Sequence, residues 1–327
     1  MRAKARACAN VALVKYWGKR DVTHNLPAAP SVSLTLAALT TDTEVVFDAG
    51  LDADVVSVDG KHDAGDSARV SRFLDQVRGR AGFTTRARVT SANTFPTGAG
   101  LASSASGFAA LAVAAARAAS LALSETELSI VARLGSGSAP RSLFGGFVEM
   151  RAGVRADGSD AVARPIAAPE HWPLEVLVVV TTEAKKAVAS GAGMQRSRET
   201  SPFYQSFIRG SDDDVRVARQ SILGRDFEAL AAVAQASCLK MHAVMLSSRP
   251  ALIYWNSATL AVMHAVMDLQ QQGVPAFFTI DAGPQVKVVC PPNGGAKVAA
   301  ALAAVSGVAR VIPTALGPAA RLLEDGP

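Results

Sequence analysis

The sequence predicts an α+β protein divided into two domains, and three observations support this prediction. The chain has 327 residues, about twice the ~150 residues of a typical domain. Strand-like segments dominate the first fifty residues, whereas residues 212–272 are mainly helical. Hydrophobic residues make up 49% of the chain and charged residues 19%, a balance that fills a globular core and excludes a disordered protein.

The first half of the chain is predicted to be β-rich and then helical. Alternating and β-branched segments predict strands at residues 9–15, 31–36, 43–47, 55–58 and 85–90. Residues 66–82 have a helical spacing that places four apolar side chains on one face: Val70, Phe73, Leu74 and Val77. A loop of small residues at 98–107 runs into an alanine-rich helix that ends near residue 119. Ser124 and Glu127 then form a capping-box pair that starts another helix.

A domain boundary is predicted between residues 157 and 173, because this segment holds Gly158 and three prolines. The expected domains are residues 1–170 and 171–327. Apolar runs predict strands on either side of the boundary, at 145–151 and 174–181. The remaining predicted elements are helices at 212–223, 226–245, 258–272 and 296–305, and strands at 276–281, 285–290 and 308–313.

Charge and composition argue against several classes of partner. The net charge of +5 is modest, aromatic residues are only 6%, and the basic residues form no stripe, so nucleic acid binding is not expected. The longest uncharged apolar stretch, residues 107–116, is shorter than the roughly 18 residues of a membrane span. The three cysteines are an odd number with long spacings, which favours a reducing cytoplasm over a disulfide framework or a zinc site.

The strongest chemical signal is the segment from Pro96 to Gly107, Pro-Thr-Gly-Ala-Gly-Leu-Ala-Ser-Ser-Ala-Ser-Gly. Small residues let backbone N–H groups approach an anion, and the helix that follows adds the positive end of its dipole. Ser103 and Ser104 add hydroxyls that can hold phosphate oxygens or a magnesium ion. Composition alone fits a flexible strand-to-helix connection equally well.

Three further segments carry candidate charged groups. Residues 135–141, Gly-Ser-Gly-Ser-Ala-Pro-Arg, end in Arg141, whose guanidinium suits a carboxylate or phosphate. Residues 10–21 cluster Lys15, Tyr16 and Lys19 at a strand end, which suits an anion clamp. Asp281 follows an apolar run and precedes a tight turn, where it could accept a proton. Taken singly, each segment also fits a bland interpretation: a linker, a solvated strand end and a turn-forming aspartate.

Together these four segments resemble the mevalonate diphosphate decarboxylases, a branch of the superfamily of galactokinase, homoserine kinase, mevalonate kinase and phosphomevalonate kinase. Lys-Tyr-Trp-Gly-Lys (15–19) and Gly-Ser-Gly-Ser-Ala-x-Arg (135–141) are specific to this branch. The similarity runs from about residue 7 to about residue 290. The resemblance implies a ribosomal-protein-S5-like N-terminal domain, a ferredoxin-like C-terminal domain and an active site in the cleft between them.

The resemblance also implies a reaction and a set of roles. The family uses ATP and Mg²⁺ to phosphorylate the C3 hydroxyl of (R)-5-diphosphomevalonate, and loss of phosphate and CO₂ gives isopentenyl diphosphate. Asp281 matches the catalytic aspartate beside that hydroxyl, Lys15 a lysine between the aspartate and the phosphates, and Arg141 and Asn10 residues at the C1 carboxylate. Further substrate-binding positions are Tyr16, Trp17, Lys19, Arg69, Ser136, Gly137, Ser138 and Ser190. The ATP phosphate cradle matches Gly98, Ala99, Gly100, Leu101, Ala102, Ser103 and Ser104, with Ser104 also near the γ-phosphate as a catalytic residue and magnesium ligand.

Four positions depart from the family pattern. Pro30, Pro140 and Gln285 replace more usual residues, and Gly191 stands where other members carry arginine or threonine beside the distal phosphates. Gly191 leaves open a decarboxylase of the monophosphate. A 3-kinase that stops after phosphorylation and a non-catalytic ligand sensor are further alternatives, although the presence of Asp281, Lys15, Arg141 and the phosphate loop argues against both. Homodimers are common in the family, so a homodimer is an expectation of the resemblance, and a cytoplasmic location is expected as well.

Overall fold

The computed structural model describes residues 1–96, 101–184 and 186–324, which form two large β-sheets and one two-stranded sheet with flanking helices. The first part of the chain contains β1 (Arg2–Val14), β2 (Lys19–Asp21), β3 (Leu26–Pro27), β4 (Ser31–Phe47), β5 (Val55–Val58), α1 (Ala64–Ala81), β6 (Ala87–Asn93), α2 (Ser103–Ala118), α3 (Glu125–Gly135), β7 (Phe147–Met150) and β8 (Ala163–Ala167). The second part contains β9 (Glu175–Val180), α4 (Ser190–Thr200), α5 (Tyr204–Gly224), α6 (Phe227–Leu246), α7 (Ser257–Gln271), β10 (Phe277–Ile280), β11 (Val286–Cys290), α8 (Gly295–Ala303), β12 (Arg310–Ala315) and β13 (Arg321–Leu323). The mixture confirms the predicted α+β class.

The larger sheet is organised around the long strand β4. The strand order is β13-β1-β4-β6-β5, while β7 pairs with β4 and β8 with β7. The sequence predicted two strands at 31–36 and 43–47, but the structure has a single strand. Its register against β1 shifts between Cys8 and Ala9, where residues 37–39 form a bulge. The bulge interrupts the alternation of side chains without ending the strand, and that interruption explains the wrong prediction.

The smaller sheet has the order β10-β11-β9-β12, and all its pairs are antiparallel. Its side chains alternate between two cores, as the period of two requires. One face, including Val178, Phe277 and Val289, packs in the same cluster as Val11 and Leu34 of the larger sheet. The other face packs against α7 and α8. The two sheets are therefore joined by a continuous apolar core, which holds the ends of β1 and β10 close together.

Helix α4 and strand β13 were not predicted from the sequence. Helix α4 was missed because its sequence is polar and rich in small residues, with only Gly193, Met194 and Ser197 buried. Strand β13 was also missed because it has three residues and no usable alternation. It pairs with β1, so the end of the chain returns to the larger sheet. The capping box of Ser124 and Glu127 is present at the start of α3, as predicted.

Among the described residues, α6 is long and apolar enough to cross a membrane by length and composition alone. Its inward residues pack into the protein core, with Leu230 and Ala234 in the cluster between the sheets and Cys238 beside α7. A core helix meets the same criterion, so this finding makes no case for a membrane span.

Candidate active site

The centre of the site is an ion pair between Lys15 and Asp281. Lys15 follows the last residue of β1, and Asp281 follows the last residue of β10. The Lys15 Nζ atom lies 2.8 Å from Asp281 Oδ1, and it also donates to the Ala12 carbonyl at 2.7 Å. The Thr279 hydroxyl donates to that same carbonyl at 2.9 Å. These bonds fix the end of β1 against the end of β10, so the two sheets jointly create the pair.

Positive charge surrounds the Asp281 carboxylate. Burial raises the pKa of Asp281, but the charges of Lys15 and Lys287, the Lys15 hydrogen bond and the Arg141 charge together bring that pKa below its ordinary value. The side chain of Asp281 is 27% exposed, whereas that of Lys15 is fully buried. The aspartate is therefore ionised at neutral pH and remains open to a ligand.

Lys287 is a second buried cation near this carboxylate, and sequence reasoning missed it. It lies on β11 opposite Thr279, on the face of the sheet that is turned toward the first sheet. Burial lowers the pKa of Lys287 to about 8, although Asp281 acts to raise it. The available signal was a lysine inside the apolar strand Val-Lys-Val-Val-Cys.

Arg141 lies in a short 3₁₀ helix, Ala139–Ser142, and is 3% exposed. Its Nη1 donates to the Ser31 hydroxyl at 2.8 Å, while its Nε has no hydrogen-bond partner among the described residues. Burial lowers the pKa of Arg141 to about 10, so the guanidinium stays charged at neutral pH. An unsatisfied buried donor is costly, which makes Arg141 well suited to an anionic ligand.

Asn10 supports the segment that carries Arg141. Its Nδ2 donates to the Ser142 hydroxyl at 2.7 Å and to the Ser138 carbonyl at 3.3 Å. The hydroxyls of Ser136 and Ser138 lie 3.3 Å apart in the same loop. The structure thus brings Asn10 together with this loop, and the contact that it makes there is with the protein backbone and a serine.

Tyr16 and Gly137 lie in direct contact. A Cβ atom placed on Gly137 would clash with the Tyr16 hydroxyl, so the close approach depends on glycine at this position. The Tyr16 hydroxyl is buried and has no partner in the described part of the chain. The Arg141 guanidinium lies 5.8 Å from the centre of the Tyr16 ring. Tyr16, Gly137 and Arg141, which were predicted from separate motifs, therefore lie side by side in the structure.

Lys19 of β2 and Arg69 of α1 lie near the C-terminal end of α3. The Arg69 Nε and Nη2 donate to the Gly135 carbonyl at 3.2 and 2.9 Å, and its guanidinium lies 4.4 Å from the Phe108 ring centre. Burial and the nearby Arg69 lower the pKa of Lys19. Their positions add two cations beside the serine loop.

Lys186 joins the site from the segment before α4, and sequence reasoning also missed it. Its Nζ donates to the Ser190 hydroxyl at 2.7 Å and to the Ala282 carbonyl at 3.2 Å. Ser190 is the first residue of α4. Lys186 therefore connects the helix end to the turn that holds Asp281.

Trp17 is buried in a cluster with Met194, Tyr204 and Ala282. Its ring packs edge-on to Tyr254, with the two ring centres 6.4 Å apart. Its indole N–H has no partner among the described residues. Its packing is that of a core residue beneath the site.

Part of the expected phosphate cradle, Gly98, Ala99 and Gly100, lies outside the described residues. Leu101 is buried in the core. Ala102 has a left-handed φ of 61°, and α2 begins at Ser103 without a side-chain cap. Helix N-terminal N–H groups need partners, and a phosphate can supply them.

The residues at the start of α2 fit a magnesium ion held mainly through phosphates. Ser104 is exposed, so its hydroxyl is accessible. The described part of the chain has no group of three His, Cys, Asp or Glu side chains suited to a metal. Mg²⁺ commonly takes few protein ligands and keeps water and substrate phosphates, so this sparse donor set is compatible with it.

The positions that depart from the family pattern fit the structure locally. Pro140 occupies the first turn of its 3₁₀ helix, where proline is tolerated. The Gln285 side chain accepts from the Thr181 N–H at 2.7 Å and donates to the Thr182 carbonyl at 2.5 Å. A Cβ atom at Gly191 would meet nothing within 4 Å, so this position has open space beside it.

Comparisons with known proteins agree on one family. Residues 7–163 match the diphosphomevalonate decarboxylase-like N-terminal domain, and residues 176–316 match the mevalonate 5-diphosphate decarboxylase C-terminal domain. The diphosphomevalonate decarboxylase of Candida albicans is 36% identical over 97% of this chain and 96% of its own length.

Solved structures give the same result. The mevalonate diphosphate decarboxylase from Enterococcus faecalis is 38% identical, with a TM-score of 0.90 over 99% of both chains. A structure of MDDEF in complex with MVAPP, AMPPCP and magnesium is 38% identical, with a TM-score of 0.93 over 99% of both chains.

We expect Lys15→Met to raise the pKa of Asp281, because the substitution removes the nearest positive charge and a hydrogen bond. Carboxyl ¹³C NMR titration measures this pKa directly. Because the folded-state pKa of Asp281 is depressed, its contribution to stability is present above the unfolded pKa and is lost as the pH falls through the folded value. The variant should lose part of that contribution.

Lys240→Met is the matched control, since Lys240 on α6 pairs with Asp214 on α5 at 2.5 Å. It should leave the Asp281 titration in place. An unchanged Asp281 pKa in Lys15→Met would contradict the electrostatic role of the pair.

Proposed function

The chain belongs to the mevalonate 5-diphosphate decarboxylase family, and from this membership we infer that it catalyses the ATP-dependent decarboxylation of (R)-5-diphosphomevalonate. The products are isopentenyl diphosphate, ADP, phosphate and CO₂, a step of isoprenoid biosynthesis. The observation that carries the proposal is the ion pair between the buried Lys15 and the ligand-accessible Asp281, with Arg141 nearby. ATP supplies the phosphoryl group, and Mg²⁺ neutralises phosphate charge.

Asp281 is proposed to orient the C3 hydroxyl toward the transferred phosphoryl group. A tertiary alcohol is a weak nucleophile, and hydroxide is a poor leaving group, so phosphorylation must precede decarboxylation. The buried cations favour the ionised carboxylate, which can accept a hydrogen bond from the hydroxyl and later stabilise positive charge developing at C3. Lys15 holds the carboxylate in place through the 2.8 Å contact.

Arg141 is proposed to hold the C1 carboxylate that leaves as CO₂. Its unpartnered Nε and its buried charge fit a carboxylate, and Ser31 fixes the other side of the guanidinium. The phosphate chain is proposed to meet Tyr16, Lys19, Arg69 and the serine loop, while the start of α2 holds the nucleotide phosphates. Phosphoryl transfer depends mainly on positioning and charge neutralisation, which these residues can supply.

The proposed reaction is tested with purified protein, ATP, Mg²⁺ and diphosphomevalonate, measuring ADP and CO₂ separately. Equal amounts of both products are expected. ADP without CO₂ would favour a 3-kinase, and neither product would favour a ligand sensor.

Asp281→Asn should lower turnover roughly a thousand-fold or more, because it removes the negative charge needed in the transition state. Binding of diphosphomevalonate, measured by calorimetry, should change much less. Retention of more than about a tenth of wild-type kcat would contradict the catalytic assignment.

Arg141→Lys should lose most of the wild-type activity, although it keeps the positive charge. A lysine lacks the planar pair of donors that grips a carboxylate, and its shorter head cannot keep the contact with Ser31. Steady-state kinetics should show a large loss of kcat/KM, while near-normal turnover would reduce Arg141 to a structural cation.

The nearest second candidate is decarboxylation of the monophosphate, and Gly191 is the observation that favours it. Gly191 offers only its backbone N–H at a position where the family resemblance implies a side-chain donor. A hydrogen bond to a charged group contributes about 1.5–3 kcal/mol, so the diphosphate should keep only a modest advantage. We propose that the diphosphate nevertheless remains the better substrate, because Lys19 and Arg69 are still present.

Gly191→Arg should lower KM for diphosphomevalonate and leave the monophosphate nearly unaffected. The position is exposed and sterically open, so the new side chain should fit. The measurement is kcat/KM for both substrates in both proteins. A higher kcat/KM for the monophosphate in the wild-type protein would favour the second candidate.

We also propose the division of the chain into residues 1–170 and 171–327. The two family matches end and begin on either side of it, and β8 ends at Ala167 before β9 starts at Glu175. The return of β13 to the first sheet is an exchange across this division. A cytoplasmic location and a homodimer remain predictions from the sequence and the resemblance.

A further inference from the structure

Asn25 lies at the end of the turn between β2 and β3, and no motif of the sequence pointed to it. Its side chain makes two hydrogen bonds. The Oδ1 atom accepts from Lys19 Nζ at 2.5 Å, and Nδ2 donates to the Leu134 carbonyl at 2.8 Å. One amide therefore connects a cation of the site to the last turn of α3.

The backbone at this position suits asparagine. Asn25 has a φ of 52°, in the left-handed region that asparagine tolerates better than most residues. A planar amide also carries an acceptor and a donor at its two ends, as the two contacts require. Aspartate has no N–H to donate to the Leu134 carbonyl, and alanine offers neither group.

The last two residues of α3, Leu134 and Gly135, hold Lys19 and Arg69 through their backbone carbonyls. Arg69 donates twice to the Gly135 carbonyl. Asn25 connects Lys19 to the Leu134 carbonyl, one residue earlier in the helix. Ser136, Gly137 and Ser138 follow directly in the chain. Because an ammonium group has three donors, the contact with Asn25 leaves Lys19 able to bind a phosphate.

We propose that Asn25 is a positioning residue that sets the affinity for the phosphate chain of the substrate by fixing Lys19 against α3. This inference rests on the proposed function. It matters most in this chain because Gly191 contributes no side-chain donor, so the grip on the distal phosphate depends more heavily on Lys19 and Arg69.

The test is Asn25→Gly, which keeps the left-handed backbone accessible and removes both side-chain contacts. We expect KM for diphosphomevalonate to rise about five- to tenfold, somewhat less than the loss of a direct hydrogen bond to a charged group would cause, because Lys19 itself is kept. We expect kcat to stay within about twofold. The advantage of the diphosphate over the monophosphate should shrink. Unchanged KM, or a fall in kcat with unchanged KM, would overturn the proposal.

Two further variants separate positioning from a general structural effect. Asn25→Asp keeps the acceptor for Lys19 but cannot donate to Leu134, so it should fail to restore the wild-type KM; full recovery would overturn the bridge. Ser120→Gly places glycine at another left-handed position, φ 57°, in the turn between α2 and α3, and its KM should match wild type. Thermal unfolding of each variant checks that the fold is kept.

Calorimetry with diphosphomevalonate in the absence of ATP distinguishes failure of the proposed reaction from failure of the proposed role of Asn25. If the wild-type protein binds this compound without turnover, the proposed reaction fails while the role of Asn25 is still measurable. Weaker binding by Asn25→Gly would then support the bridge, and equal binding would contradict it.

Discussion

The site depends on one constraint, the ion pair between Lys15 and Asp281 at the ends of strands from different sheets. A buried charge is costly unless it is paired and hydrogen-bonded, so the ammonium group of Lys15 requires both Asp281 and the Ala12 carbonyl. The two sheets must meet in one arrangement to satisfy it. The apolar cluster that contains Val11, Val178 and Phe277 supplies that arrangement.

The excess of positive charge around Asp281 follows from the chemistry. The substrate, the nucleotide and the phosphate that leaves are all anionic, so a site whose charges were all paired would attract them only weakly. Lys15, Lys287 and Arg141 surround one carboxylate, and burial lowers the pKa of both Lys287 and Arg141. Bound phosphates would compensate this charge, which couples ligand binding to the electrostatic balance of the core.

The cations proposed to meet phosphate are held by backbone carbonyls. Arg69 is fixed by Gly135, Lys186 by Ala282, and Lys19 through Asn25 by Leu134. A carbonyl orients a cation without cancelling its charge, whereas a carboxylate would remove the attraction for phosphate. The same logic explains why the one carboxylate among these groups, Asp281, is the one proposed to act in catalysis.

The sequence by itself determined the local features: the capping box at Ser124, the apolar face of α1, the strands around Asp281, and the family through its loop motifs. These depend on neighbouring residues, whose periodicity and turn chemistry are visible in the chain. Only the tertiary structure placed Lys186, Lys287 and Asn25 at the site, joined residues 31–47 into one bulged strand, and returned β13 to β1. Those contacts join residues far apart in sequence, so their partners are set by how the sheets and helices pack and not by local pattern.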